Sequence, residues 1–257
     1  MKRSLVFALF YLCAPVLLAA RTIQKFYMID VDTGFFAEGF GATGMIITVA
    51  FLLFAVVELV MTALSKPERV ALPDNSRSMA VGTFAAGICL MISAVGSVIT
   101  GNFVAAIADF IFALCMFWRG LTLLSKVSFD GMLAMVGVVY FLVKLVLGFA
   151  GYAGEVAVAD SVFDIVTMCL LVLFFTAEAK VTAGISNKKI AVAFYGYGLS
   201  AALFCICSVF PSLINLLVGG SFEVHGSPVP DITYIGFAVY ILIALNSAKE
   251  DPVAVQE

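Results

Sequence analysis

Five ionisable side chains fall within stretches too apolar to sit in water: Glu58, Asp109, Arg119, Lys144 and Asp164. In hydrocarbon each costs at least a few kcal/mol unless it is paired or reaches water, so each needs a reason to be there. Asp109 and Lys144 lie about seven residues, and Asp164 about four, from the cation-poor ends of their stretches. At about 1.5 Å per residue these are comparable depths. The three stretches are consecutive and joined by short loops, so Lys144 is expected to pair with Asp109 or with Asp164. Such a trio supports proton- or ion-coupled chemistry, in which substrate or proton competes with the Lys–carboxylate pair. It serves equally as a charge pair that fixes helix register.

The same depth argument pairs two residues near the other surface. Glu58 is about seven residues from Ser65 and Arg119 about six from Ser125, which predicts a second pair, Glu58 with Arg119. Glu178 is two residues from Lys180 and is expected to snorkel to the surface. At helical spacing Lys144 shares a face with Gly137, Tyr140, Gly148 and Gly151, a small-residue face with one phenol. Asp109 sits among Ala105, Ala106, Ala108 and Ala113, so its carboxylate is expected against a neighbouring helix and away from lipid.

The elements that position these residues follow from composition. With 63% hydrophobic residues, 12% charged residues and 24 Phe in 257 residues, no water-soluble core of this size could hide the apolar surface. An all-α polytopic transmembrane bundle is expected instead, one integral membrane domain over 1–257 with lipid as its solvent. Spans are predicted at about 4–20, 43–65, 79–100, 103–125, 131–151, 160–179, 189–210 and 231–247, eight in all, forming four helical hairpins. Polar or Gly/Pro-rich breaks separate them, among them KPERVALPDNSRS at 66–78 and ISNKK at 185–189.

Cations sort cleanly between alternate loops. One side collects Lys2, Arg3, Lys66, Arg69, Arg77, Lys126, Lys180, Lys188, Lys189 and Lys249, and the other only Arg21 and Lys25. Cytoplasmic loops hold most Lys and Arg, so both termini are expected in the cytoplasm, in style that of a bacterial cytoplasmic membrane. The opening MKR and its apolar run have the form of a secretory signal, but Leu18 occupies a position that wants a small residue. An uncleaved anchor is expected. Spans that run toward the cation-rich side end alike, in ALSK66, LLSK126, AEAK180 and NSAK249, which a duplicated hairpin or a shared stop-transfer requirement would each produce.

Small residues recur at four-residue spacing: Gly82/Ala86, Ser93/Ser97, Gly196/Ser200 and Gly198/Ala202. Helices in lipid associate through such close approaches, and these faces are expected to make bundle contacts or to dock other membrane subunits. The six Cys all fall inside spans and read as packing residues. The single His225 stands in the loop SFEVHGSPVPD, too isolated for a His-clustered metal site. GLSA at 198–201 resembles the serine motif of rhomboid-type proteases but has no His in a later span. An enzyme is therefore the weakest class, no cofactor is indicated, and the net charge of -3 gives no sign of a nucleic-acid partner. In FPSLINLLVGG, Pro211 is expected to end its helix and leave an interfacial segment.

One loop is dense in acids. YMIDVDTGFFAEG, 27–39, contains Asp-Thr-Gly, which resembles the pepsin-like triplet, but those proteases are β-rich and this chain is not. Asp30, Asp32 and Glu38 could form a weak cation site, though the further oxygen ligands of a calcium loop are missing. The loop is expected to cap the outer face, anchored by Phe26, Tyr27, Phe35 and Phe36. A transporter or permease-like protein for a small solute or ion, centred on Asp109, Lys144 and Asp164, is the leading expectation. A non-catalytic scaffold or accessory subunit is the alternative.

Overall fold

A computed structural model describes residues 3–30, 36–73, 75–125, 127, 129–152, 159–217 and 231–250. They form helices α1 (Arg3–Ile23), α2 (Gly41–Ser65), α3 (Arg77–Ile99), α4 (Phe103–Ser125), α5 (Gly131–Tyr152), α6 (Ala159–Thr182), α7 (Lys188–Leu217) and α8 (Asp231–Ser247). Two short strands, β1 (Val70–Ala71) and β2 (Lys249–Glu250), pair antiparallel. Seven of the helices are long and apolar enough to cross a membrane, and α8 is apolar but only 17 residues long. The chain is a multi-pass integral membrane protein built as a helical bundle.

The polar punctuation works as capping chemistry. Ser76, Asn102, Asp130 and Asn187 each accept a hydrogen bond from a backbone N–H in the first turn of the helix that follows, satisfying donors that an α-helix start leaves without partners. Gly101 and Gly184, at φ +78° and +75°, take the left-handed turns that close α3 and α6, where a side chain would be strained.

Helices α3 to α8 close a ring in chain order: each packs on the next, and α8 returns to α3. Helices α1 and α2 lie outside this ring, packed on each other and on α7. The apolar windows of both are only 17% buried against 72% for α7, so α1 and α2 turn most of their surface to lipid. The two interleaved small-residue stripes of α7 explain how it serves neighbours on both sides. Gly196 lies under Leu59 of α2, and Gly198 lies against Leu245 of α8 and Phe174 of α6. Where α8 returns to α3, Gly236 meets the backbone of Ala86.

Aromatic side chains fill the middle of the ring. Phe112 from α4, Tyr140 and Phe141 from α5, Phe175 from α6, and Phe237 and Tyr240 from α8 pack in mutual edge and stacked contacts, with centroids 4.7 to 6.3 Å apart. Phe112 and Phe237 stack at 5.8 Å although their helices are not adjacent, so these rings meet across the axis. Such contacts add to the burial of large rings, and here they close the lumen.

Two sequence expectations are corrected here. The first span does not stop near residue 20: α1 runs to Ile23 and continues through a π-helical turn, Gln24–Met28, so Arg21 and Lys25 are helical. Arg21 is buried, its Nη1 donating to Gln24 Oε1 at 2.6 Å while Gln24 Nε2 donates to Gly44 O and Thr48 Oγ1 of α2. Pro211 does not end its helix, since α7 continues to Leu217, the lost backbone bond being tolerated within a helix held by four neighbours. The loop after α2 is tied down: β1 holds it to the chain that follows α8, and Val70 N donates to Ser186 Oγ at 2.8 Å.

Candidate functional site

Helix α4 carries the axis of the site. Its buried stripe includes Asp109, Phe112, Ala113, Met116, Arg119 and Leu123, at spacings that keep one face of a helix inward. Asp109 and Arg119 are thus about 15 Å apart along one face, with the aromatic layer between them.

At one end, Lys144 Nζ lies 2.7 Å from Asp109 Oδ1, with both side chains fully buried. Tyr140 Oη donates to the same oxygen at 2.8 Å, and Ser93 Oγ to Oδ2 at 2.6 Å, with Ser97 Oγ farther off at 3.4 Å. Helices α3, α4 and α5 therefore converge on one carboxylate, and an ion pair so buried depends on such extra donors. Asp164, the third member of the expected trio, takes no part in the hydrogen bonds of Asp109. The ring of Phe163, next to it on α6, lies 4.2 Å from the guanidinium carbon of Arg21 and stacks on Phe204.

At the other end, Arg119 Nη2 lies 3.0 Å from Glu178 Oε1. Tyr240 Oη donates to the same carboxylate oxygen, and the guanidinium lies over the rings of Phe129 and Tyr240 at 5.3 and 5.6 Å. Glu178 is 1% exposed and does not snorkel. It belongs to the buried stripe Leu171, Phe174, Phe175, Glu178 and Val181 of α6, a periodicity that outweighs its nearness to Lys180.

The expected Glu58–Arg119 pair is not made, because Arg119 is turned into the ring and Glu58 belongs to α2 outside it. Glu58 instead accepts a hydrogen bond from Ser200 Oγ of α7 at 2.9 Å through Oε2, and its Oε1 has no partner among the described residues.

A cavity of about 290 Å³ reaches Arg119 from the end of the ring where β1 lies. Its walls include Val70 to Pro73 of the strapped loop, Thr122 on α4, Phe129 just before α5, Thr182 at the end of α6 and Ser186 beyond it. Thr182 Oγ1 is a buried hydroxyl without a hydrogen-bond partner among the described residues, and so are Ser208 and Thr233 elsewhere. The cavity opens at the cation-rich face: Lys180 and Lys188 lie two residues from Thr182 and Ser186 in the chain, and Lys249 pairs with Ala71 in the two short strands.

At the opposite face, Ile29 and Phe36 form an isolated antiparallel bridge, and Ala37 N donates to Met28 O at 2.9 Å. Asp30 and Glu38 flank this closure, while Asp32 lies outside the described residues, as does His225. Among the described residues no three His, Cys, Asp or Glu side chains gather as metal ligands. Phe36 packs on Gly44, which anchors the loop to α2.

Compared with protein-family models, with curated proteins and with solved structures, the chain matches none.

Proposed function

We propose that this protein is a permease-like transporter of a small solute or ion, closed across the ring and open at the cation-rich face. That face is cytoplasmic in this reading, by the bias of Lys and Arg, with eight crossings and both termini inside. The observation that carries the reading is the order of parts along one axis. A cavity ends on Arg119, which is paired with Glu178, an aromatic layer follows, and the Asp109–Lys144 pair lies beyond it. Binding at mid-depth between charged groups, with a gate on either side, is what alternating access requires. At the cavity end, an anionic group on the solute would compete with Glu178 for the guanidinium of Arg119, and the neighbouring Thr and Ser hydroxyls could bond it.

A second reading, a scaffold without transport, is favoured by the saturation of Asp109, which has an ammonium, a phenol and a serine within 2.8 Å. The two readings differ at Met116, buried on α4 between the layers. In a background with the native cysteines replaced, Met116→Cys should react with a membrane-impermeant thiol reagent from each side of a sealed vesicle. Protection from both sides, in protein that still folds, would favour the scaffold.

A further inference from the structure

With Arg119 taken by Glu178, Glu58 is left at the contact of α2 with α7. Its side chain is wholly buried, Ser200 serves one oxygen, and the other has no partner among the described residues. The elements packed on α2 are α1, the π-helical turn and α7, and Phe51 of α2 also meets the ring of Phe163 on α6, beside Asp164 and about 10 Å along the axis from Glu58. Their cations stand toward the ends of the bundle, Arg3 at the start of α1 among them. Arg21 is tied through Gln24 to Thr48, and Lys188 and Lys189 open α7, each about 15 Å or more from Glu58 along the helix axes. Lys25 reaches Ser212, twelve residues beyond Ser200 on α7. The titratable groups nearest in register are Tyr11 and Cys13 on α1 and Tyr195 and Tyr197 on α7. None carries a positive charge, and none bonds to the carboxyl.

An ionised carboxylate in that position would give up water and gain no counter-charge, which is the costliest form in which a carboxyl can be buried. The neutral acid loses far less. It still accepts the Ser200 hydrogen bond on Oε2 and carries its proton on Oε1, leaving only one O–H without an acceptor. The contact that encloses it lies on the outer side of the ring: Leu59 rests on the bare backbone of Gly196, and α2 stands outside the ring. We infer that Glu58 is a proton-binding site, neutral while α2 lies against α7 and able to release its proton to water where α2 parts from Ser200. Its use in coupling a proton to solute movement rests on the transport reading, whereas the protonation does not.

Infrared spectroscopy of the full-length protein in lipid nanodiscs at neutral pH tests the site directly. A carboxylic-acid carbonyl band should be present, be lost in Glu58→Gln, shift in Ser200→Ala and persist in Asp109→Asn. Dicyclohexylcarbodiimide, which attacks protonated carboxyls from the apolar phase, should modify Glu58 and leave the ion-paired Asp109 and Glu178 untouched. Glu58→Gln has the shape of the neutral acid and should fold as the native chain does. No acid band, or a band indifferent to both Glu58→Gln and Ser200→Ala, overturns the proton site. A band that behaves as expected, in protein whose Met116→Cys variant stays protected from both sides, keeps the proton site and removes the transport reading alone.

Discussion

Lys144 places its ammonium 2.7 Å from Oδ1 of Asp109, and neither side chain reaches the surface. The pair joins α4 to α5 where those two helices otherwise touch little, while Ser93 brings α3 to the same carboxylate. Its worth lies less in net stability than in what happens when one member is removed, since the other is then stranded without water.

Lys144→Met should accordingly lose about 3–5 kcal/mol. Adding Asp109→Asn should recover most of that loss, because the amide is neutral, its one oxygen can accept from Tyr140, and its N–H can donate to the Ser93 hydroxyl in turn. Thermal unfolding in detergent of the two single variants and the double variant measures the coupling. Additive losses would mean that the ion pair is not the interaction that holds this end of the ring.

The other end of the axis should respond in two steps. Tyr240→Phe removes one hydrogen bond to a carboxylate that keeps its arginine, a loss of about 1.5–3 kcal/mol. Arg119→Met strands Glu178 and should cost about 3–5 kcal/mol. Reversal of that order in the same unfolding assay would show that the phenol, and not the guanidinium, keeps Glu178 in place.

Much of the helical frame was legible in the sequence, because runs of apolar residues between polar breaks report length and lipid contact directly. Depth was legible too: it put Asp109 and Lys144 at one level, and they meet. Partner choice was not, since depth along a helix says nothing about which way the helix faces. Glu58 and Arg119 share a level and sit on opposite sides of the ring wall, with Arg119 directed to the axis and Glu58 to the α2–α7 contact. Glu178 could have been found from its buried stripe on α6, and Ser93, Ser97 and Ser200 from their four-residue spacings, read as ligands as well as packing faces. The closure of six helices into a ring depends on contacts far apart in the chain, such as Gly236 on Ala86, which no local pattern encodes.

That contact is testable against a glycine with no neighbour. A Cβ at Gly236 would meet the Ala86 Cα at 3.0 Å, and a backbone cannot swing aside, so Gly236→Ala should push α8 from α3 and cost about 1–3 kcal/mol. Gly96 is exposed on α3 with nothing within 4 Å of such a Cβ, so Gly96→Ala should be neutral or stabilise by up to about 1 kcal/mol through helix propensity. Equal melting shifts for the two would remove close approach as the reason for Gly236.

The cap at the opposite face turns on Gly44. A Cβ there would lie 2.2 Å from Phe36 Cε1, inside any contact the ring can keep, so Gly44→Ala must displace Phe36. Phe36 pairs with Ile29 in the bridge that closes the loop, and the neighbouring Ala37 N–H donates to Met28 O. Displacing the ring should therefore free that amide, and hydrogen exchange of a peptide covering Phe36 to Phe40 should speed up by tenfold or more, about 1.4 kcal/mol of lost protection at 25 °C. The Gly44 carbonyl also accepts from Gln24 Nε2, but a methyl on Cα leaves that oxygen free, so exchange in the turn around Gln24 should change little. Faster exchange at both places would mean that the substitution loosens the whole end of α2, and that the Phe36–Gly44 contact is not what holds the cap.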